Sequence, residues 1–196
     1  SLIRSNLFFK THFPLRIVNS IYFDDKNFSS ILENLDGVRN KKKIRLRWYG
    51  GKHKLDNPML EIKDKDATVT KKTNYNVDQL NGVSILDKKG LEFIKDTINK
   101  IVNSKNIIYP VLTTNYDRQY FISNNNKVRA TVDYNLQSIY LKNFSQLNMI
   151  KNFVDKCILE IKYPTNIDSY VRENLKNMTL RLSKNSKFIN SAVDTP

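Results

Sequence analysis

The chain has 196 residues, 40% of them hydrophobic, which is enough for one large or two small domains with a real core. Its 33 Lys and Arg outnumber 19 Asp and Glu, giving a formal charge of +14 and pointing to a polyanionic partner: nucleic acid, acidic lipid or a phosphate-rich small molecule. A single cysteine, Cys157, excludes an internal disulfide and suggests a reducing, cytoplasmic setting; two distant histidines, His12 and His53, supply neither a zinc site nor a His-based triad; no apolar run reaches membrane-spanning length.

In chain order, "RIVNSIYFDD" (16–25) reads as a strand whose terminal acids cap the helix that follows. That helix carries Phe28, Ile31, Leu32 and Leu35 on one face and stops at Gly37. The stretch "KKKIRLRWYGG" (41–51) alternates Lys41, Lys43, Arg45 and Arg47 with Ile44, Leu46 and Trp48, so as a strand it has one cationic and one apolar face. "NPMLEIKDKD" (57–66) alternates again, and "TVTKKTNY" (68–75) is its expected hairpin partner. From Asp87 to Asn103 the period becomes helical, with Leu91, Ile94, Ile98 and Ile101 forming a stripe suited to the outside of a sheet. Two long strands follow at 109–123 and 127–141, joined by an Asn-rich turn. "KCILEIKYP" repeats the "LEIK" of residues 60–63 and places Cys157 as a structural thiol in a strand; a short helix (166–178) and a basic tail (181–193) complete the chain. No low-complexity linker divides it, so residues 1–196 read as a single domain. The first segment lacks the organisation of a signal peptide, and a chain opening on Ser1 is expected to have residues upstream.

With period two, one polarity recurs on strand after strand: Arg45 and Arg47; Glu61, Lys63 and Lys65; Arg118 with Tyr116 and Tyr120; Arg129 with Thr131 and Asp133; Glu160 and Lys162. The opposite faces are mainly apolar and helices are available to cover them, so the charged faces are expected to line the inside of a closed sheet. Unpaired buried charge costs several kcal/mol per ion or more, so such an interior calls for a wet tunnel that binds polyphosphate groups. The competing reading is a solvated basic sheet that binds nucleic acid. Against it, the aromatics do not interleave on these strands as in RNA-binding sheets, and each "LEIK" sets a carboxylate where phosphate backbone would be repelled.

These segments, from "SIYFDD" through "IRLRWYGG", "LEIK" with "KKTNY", "YDRQYF", "VRATVD" and "ILEIK" to "SKNSKF", resemble the VTC (vacuolar transporter chaperone) domain. That domain is the polyphosphate polymerase module of the CYTH-like triphosphate tunnel metalloenzyme superfamily. The resemblance implies an α+β fold, a closed antiparallel β-tunnel with helices packed outside, and transfer of the ATP γ-phosphate to inorganic polyphosphate with Mn2+ or Mg2+. It places Arg45, Arg47, Lys63, Lys72, Arg118 and Arg129 among the phosphate ligands, Tyr116 as a tunnel tyrosine, and Glu160 as the metal carboxylate. Lys184, Ser186 and Lys187 match the family's C-terminal Ser-Lys segment, which folds back toward the phosphates, and Lys187 joins Arg45 and Arg47 as a catalytic candidate. Two features depart from the pattern: the family's first strand, with a glutamate and lysine, has no counterpart before "RIVNSIYFDD", and Ser191 stands where the family tends to have Gly. No phosphate-sensing SPX domain lies in these residues.

Phosphoryl transfer needs in-line placement and charge neutralisation more than covalent chemistry. Arg45, Arg47 and a metal on Glu160 are expected to hold ATP, with Arg118, Arg129, Lys63 and Lys72 aligning the acceptor phosphate. Two rivals keep the fold: attack by water, giving a triphosphatase, and a non-catalytic module that binds polyphosphate or nucleic acid.

Overall fold

The computed structural model describes residues 7–39, 41–66, 69–142, 146–154, 157–176 and 186–187. Among the described residues eight strands form one antiparallel sheet: β1 (Lys10–Asp24), β2 (Lys41–Tyr49), β3 (Met59–Asp66), β4 (Val69–Asn76), β5 (Tyr109–Ile122), β6 (Arg129–Lys142), β7 (Gln146–Val154) and β8 (Ile158–Lys162). Their order is β4-β3-β2-β1-β5-β6-β7, with β8 also paired to β6. The first strand is thus the spine of the sheet: its Ile21 lies between Leu46 of β2 and Thr113 of β5. The sheet curls, giving an inner and an outer face. β1 begins six residues before the sequence pattern suggests, and β7 had no signal in that pattern.

The outer face is apolar, as the alternation requires. Ile21 and Phe23 of β1, Ile44, Leu46 and Trp48 of β2, and Leu60 of β3 pack against Leu91, Ile94 and Ile98 of α2 (Lys88–Val102). Leu91, Ile94 and Ile98 are at most 1% exposed, each contributing roughly 1.5–3 kcal/mol of burial. Asp87 caps α2 by accepting from the Gly90 amide at 2.7 Å, and Asn103 ends it in the left-handed region at φ 44°, which suits asparagine. Helix α3 (Asp168–Leu175) covers the second half, with Val171 in a cluster with Ala130, Leu159 and Ile161.

Helix α1 (Ser29–Leu35) sits differently. Its Ile31 packs with Tyr22, Leu112 and Tyr140, whose strand positions face inward, so α1 covers one end of the inner face. The expected four-residue apolar stripe is only partly used: Ile31 is buried and Phe28 packs beside it, while Leu32 and Leu35 are about half exposed because one short turn of contact is all the strand ends offer. The acidic cap is present, supplied from a distance. Asp24 accepts from the amides of Ser30 at 2.9 Å and Ile31 at 3.0 Å, and Asp25 from that of Ser29 at 3.1 Å. Burial raises the Asp24 carboxyl above its ordinary value despite those amides. Cys157 corrects the sequence reading: it lies just before β8 and is exposed, because the outer apolar face of that strand begins at Leu159. No helix among the described residues is long and apolar enough to cross a membrane.

Candidate functional site

Residues paired across neighbouring antiparallel strands project from the same face. One row runs Glu61, Arg45, Tyr22, Leu112, Tyr140; the next runs Met59, Arg47, Ser20, Thr114, Ser138. Lys43 lies opposite Lys63 and Lys63 opposite Lys72, so these lysines share that face. Farther along, Arg118 faces Asp133, Thr131 faces Tyr120 and Glu160, and Arg129 faces Ile122 and Lys162. The charged residues picked out by their spacing therefore share the inner face.

A bulge makes this possible. Between the pairs Asn115–Gln137 and Asp117–Tyr134, β5 advances two residues and β6 three. Asn135 takes up the extra residue at φ 53°, with its side-chain amide donating to Asp117 at 2.7 Å. In β6 the odd residues Arg129, Thr131 and Asp133 face inward before the bulge, and the even residues Ser138 and Tyr140 do after it.

The inner face holds two cation clusters, each gathered on a buried carboxylate. In the first, Glu61 accepts from Arg45 Nε at 2.8 Å and Nη2 at 2.6 Å, with Arg47 at 3.3 Å and Lys72 at 3.6 Å. Burial pushes the Glu61 carboxyl up, but these three cations outweigh it and hold it below its ordinary value. Tyr22 sits among Arg45, Lys43 and Arg47; burial alone would raise its phenol, yet the cations lower it. Burial in turn lowers the Lys43 ammonium.

In the second cluster, Arg118 forks onto Asp133 at 2.6 and 2.8 Å, and Lys187 Nζ lies 2.6 Å from the same carboxylate. Asp133 is held below its ordinary value although burial opposes this. Tyr116 lies beneath both cations, 5.2 Å from the Arg118 guanidinium carbon and 4.8 Å from Lys187 Nζ, and burial pushes its phenol up to about 12. Ser186 Oγ accepts from Lys43 Nζ at 2.8 Å, so residues 186 and 187 reach both walls of the curl. Lys184 lies outside the described residues.

Several buried polar atoms on this face lack a protein partner: Arg47 Nε, Ser20 Oγ and Thr114 Oγ1 in one transverse row, and Thr131 Oγ1 beside Glu160. Buried donors of this kind suit an incoming anion. Ser20, Thr114, Tyr22 and Asp133 complete the face without having been singled out for binding; the first two are visible only once strand register is known. Arg129 and Lys63 are exposed on the same face but join neither cluster.

Glu160 is half exposed and paired with Lys162 at 3.2 Å rather than with another carboxylate. Among the described residues no group of three or more His, Cys, Asp and Glu could hold a metal by itself. One carboxylate with a hydroxyl alongside does suit Mg2+ or Mn2+ carried on substrate phosphates, which takes only one or two carboxylates and keeps several waters.

A solved structure shares this fold. A candidate adenylate cyclase from Bacillus halodurans superposes with a TM-score of 0.56 at 12% identity, covering 90% of this chain and 82% of that one. A candidate adenylyl cyclase from Hippeastrum, described as having a dominant triphosphatase activity, aligns with a TM-score of 0.48 at 13% identity over 93% of this chain and 85% of its own. No relative among curated proteins matches the sequence. A scan against protein families matches the VTC domain over residues 13–193, from within the spine strand to beyond the Ser186–Lys187 pair, and on that match the chain belongs to the VTC domain family.

Proposed function

We propose that the chain is a polyphosphate polymerase domain, transferring the γ-phosphate of ATP to the end of an inorganic polyphosphate chain held along its inner face. The observation that carries this reading is the pair of cation clusters, one gathered on Glu61 and one on Asp133, at separate places on one continuous face. A hydrolase acting on one triphosphate needs one such cluster. Joining two phosphate chains needs a place for each.

Arg45 and Arg47 hold the nucleotide phosphates, with Lys43, Lys63 and Lys72 along the same wall; Arg118, Arg129, Lys187 and Tyr116 hold the acceptor. Lys184 and Ser186 belong to the segment that approaches from the C-terminal side. Glu160, with Thr131 beside it, would hold Mg2+ or Mn2+, which neutralises charge on phosphate oxygens. An acceptor phosphate oxygen attacks the γ-phosphorus, the bond from that phosphorus to the β–γ bridging oxygen breaks, and ADP leaves. The attacking oxygen is already largely ionised near neutral pH, with a second phosphate pKa of about 6, so no general base is required. That agrees with two cation clusters in which the ion pairs are made by Arg, Lys, Glu and Asp without histidine.

The test is ATP turnover with manganese, resolving ADP, orthophosphate and polyphosphate. Polyphosphate formed with ADP is expected; ADP formed with orthophosphate and no polyphosphate would make the chain a triphosphatase instead. Arg47→Ala removes a preorganised donor to the transferred group and is expected to lower the rate about 10²-fold or more. Near-parental turnover by a folded Arg47→Ala protein would remove Arg47 from the mechanism.

A further inference from the structure

The polymerase reading leaves one group of exposed rings unused. Where β2 ends, the inner face carries Arg16, Tyr49 and Tyr120 with Phe13 alongside. The Arg16 guanidinium carbon lies 5.2 Å from the centre of the Phe13 ring, 5.6 Å from that of Tyr49 and 5.7 Å from that of Tyr120. Phe13 meets Tyr120 edge-on at 5.8 Å, and Tyr120 is hydrogen-bonded to Tyr49. Phe13 and Tyr49 remain 43% and 39% exposed, well above what packed rings show. Among the described residues no carboxylate lies within ion-pair distance of Arg16, unlike Arg45, Arg47 and Arg118.

The position matters as much as the composition. Tyr49 follows Arg47 by two residues on the same face, about 6.6 Å along the strand. Arg16 lies opposite Arg118 in the β1–β5 ladder, and the Arg118 guanidinium carbon is itself 6.0 Å from the Tyr120 ring centre. Flat rings and a guanidinium with no carboxylate partner among the described residues therefore adjoin Arg47, assigned to the nucleotide phosphates, on the β2 side and Arg118, assigned to the acceptor, on the β5 side. Polyphosphate has no planar group and gains nothing from ring faces, whereas a nucleobase stacks on both aromatic rings and guanidinium planes.

We propose that Phe13, Arg16, Tyr49 and Tyr120 form a platform that binds the base of the donor nucleoside triphosphate and so fixes which end of the inner face the nucleotide occupies. The assignment rests on the reading that a triphosphate binds this face. It predicts tighter binding of purine than of pyrimidine nucleotides, because the larger base covers more ring. Tyr49 and Arg16 act on binding and orientation of the base.

The test compares adenosine β,γ-imidotriphosphate with inorganic tripolyphosphate, by calorimetric titration of the wild-type protein and of Tyr49→Leu and Tyr49→Phe. Expected are weaker binding of the nucleotide by Tyr49→Leu, about tenfold as for loss of one stacked base, unchanged binding of tripolyphosphate, and near-wild-type behaviour of Tyr49→Phe. Equal loss for both ligands, or no loss for either, overturns the platform while leaving the phosphate face standing. Failure of the wild-type protein to bind tripolyphosphate would instead sink the reading of the inner face, and the platform with it.

Discussion

At the scale of single residues, Glu61 is the group on which the first cluster turns. It lies at the centre of Arg45, Arg47 and Lys72 and is itself only 7% exposed at its side chain. Removing one partner of a fully buried ion pair costs about 3–5 kcal/mol, but Lys72 is half exposed and Arg45 partly so, which reduces the loss toward ~1–2 kcal/mol. Glu61→Gln should therefore unfold at lower urea than the parent protein, and saturating tripolyphosphate should restore more stability to the variant than it adds to the parent. Equal gains in the two proteins would show that Glu61 is not the internal counter-ion of the phosphate cations. The sequence made the cations legible, since period two on "KKKIRLRW" and "YDRQYF" needs nothing but strand geometry. It could not show how they are partnered: Glu61, singled out as a member of "LEIK", gives no hint in one dimension that three cations from two other strands converge on it, nor that Glu160 in the matching repeat would be left with Lys162.

At the scale of elements, the strand faces followed from alternation and the helix α2 from its 3.6 period, whereas β7 was invisible because no clean alternation marks residues 146–154. The β6 bulge is the element that assembles the second cluster. Deleting Asn135 would force the stretch from Arg129 to Asp133 to turn over, moving Asp133 away from Arg118 and exposing Ala130 and Val132 to the inner side. The deletion protein is expected to melt at lower temperature and to bind tripolyphosphate weakly in titration. Asn135→Gly keeps the backbone conformation at φ 53° and should differ from the parent by no more than about 1 kcal/mol, the side-chain bond to Asp117 being its only loss. Parental tripolyphosphate affinity in the deletion protein would show that the bulge does not set the face.

At the scale of the whole molecule, a chain of charge +14 concentrates cations on one surface and relies on two carboxylates, one in each half of the sheet, to hold them. Both carboxylates titrate below their ordinary values of 4.5 for Glu61 and 3.8 for Asp133. A depressed folded-state value adds stability that is complete above the ordinary value and lost as pH falls through the folded one. Urea midpoints followed downward from neutral pH should thus fall below pH 4.5, and Asp133→Asn should flatten that fall; an unchanged slope in the variant would remove Asp133 from the effect. The two described residues near the C-terminus have a further consequence. Backbone ladders at a strand spacing of about 4.8 Å join β2 to β6 through β1 and β5, and Ser186 on Lys43 with Lys187 on Asp133 buckles the same two strands a second time across the hollow of the curl. A buckle made of lysine stems has slack that a ladder lacks, so this second tie across the hollow can lengthen or shorten by side-chain rotation while the ladders through β1 and β5 keep their spacing.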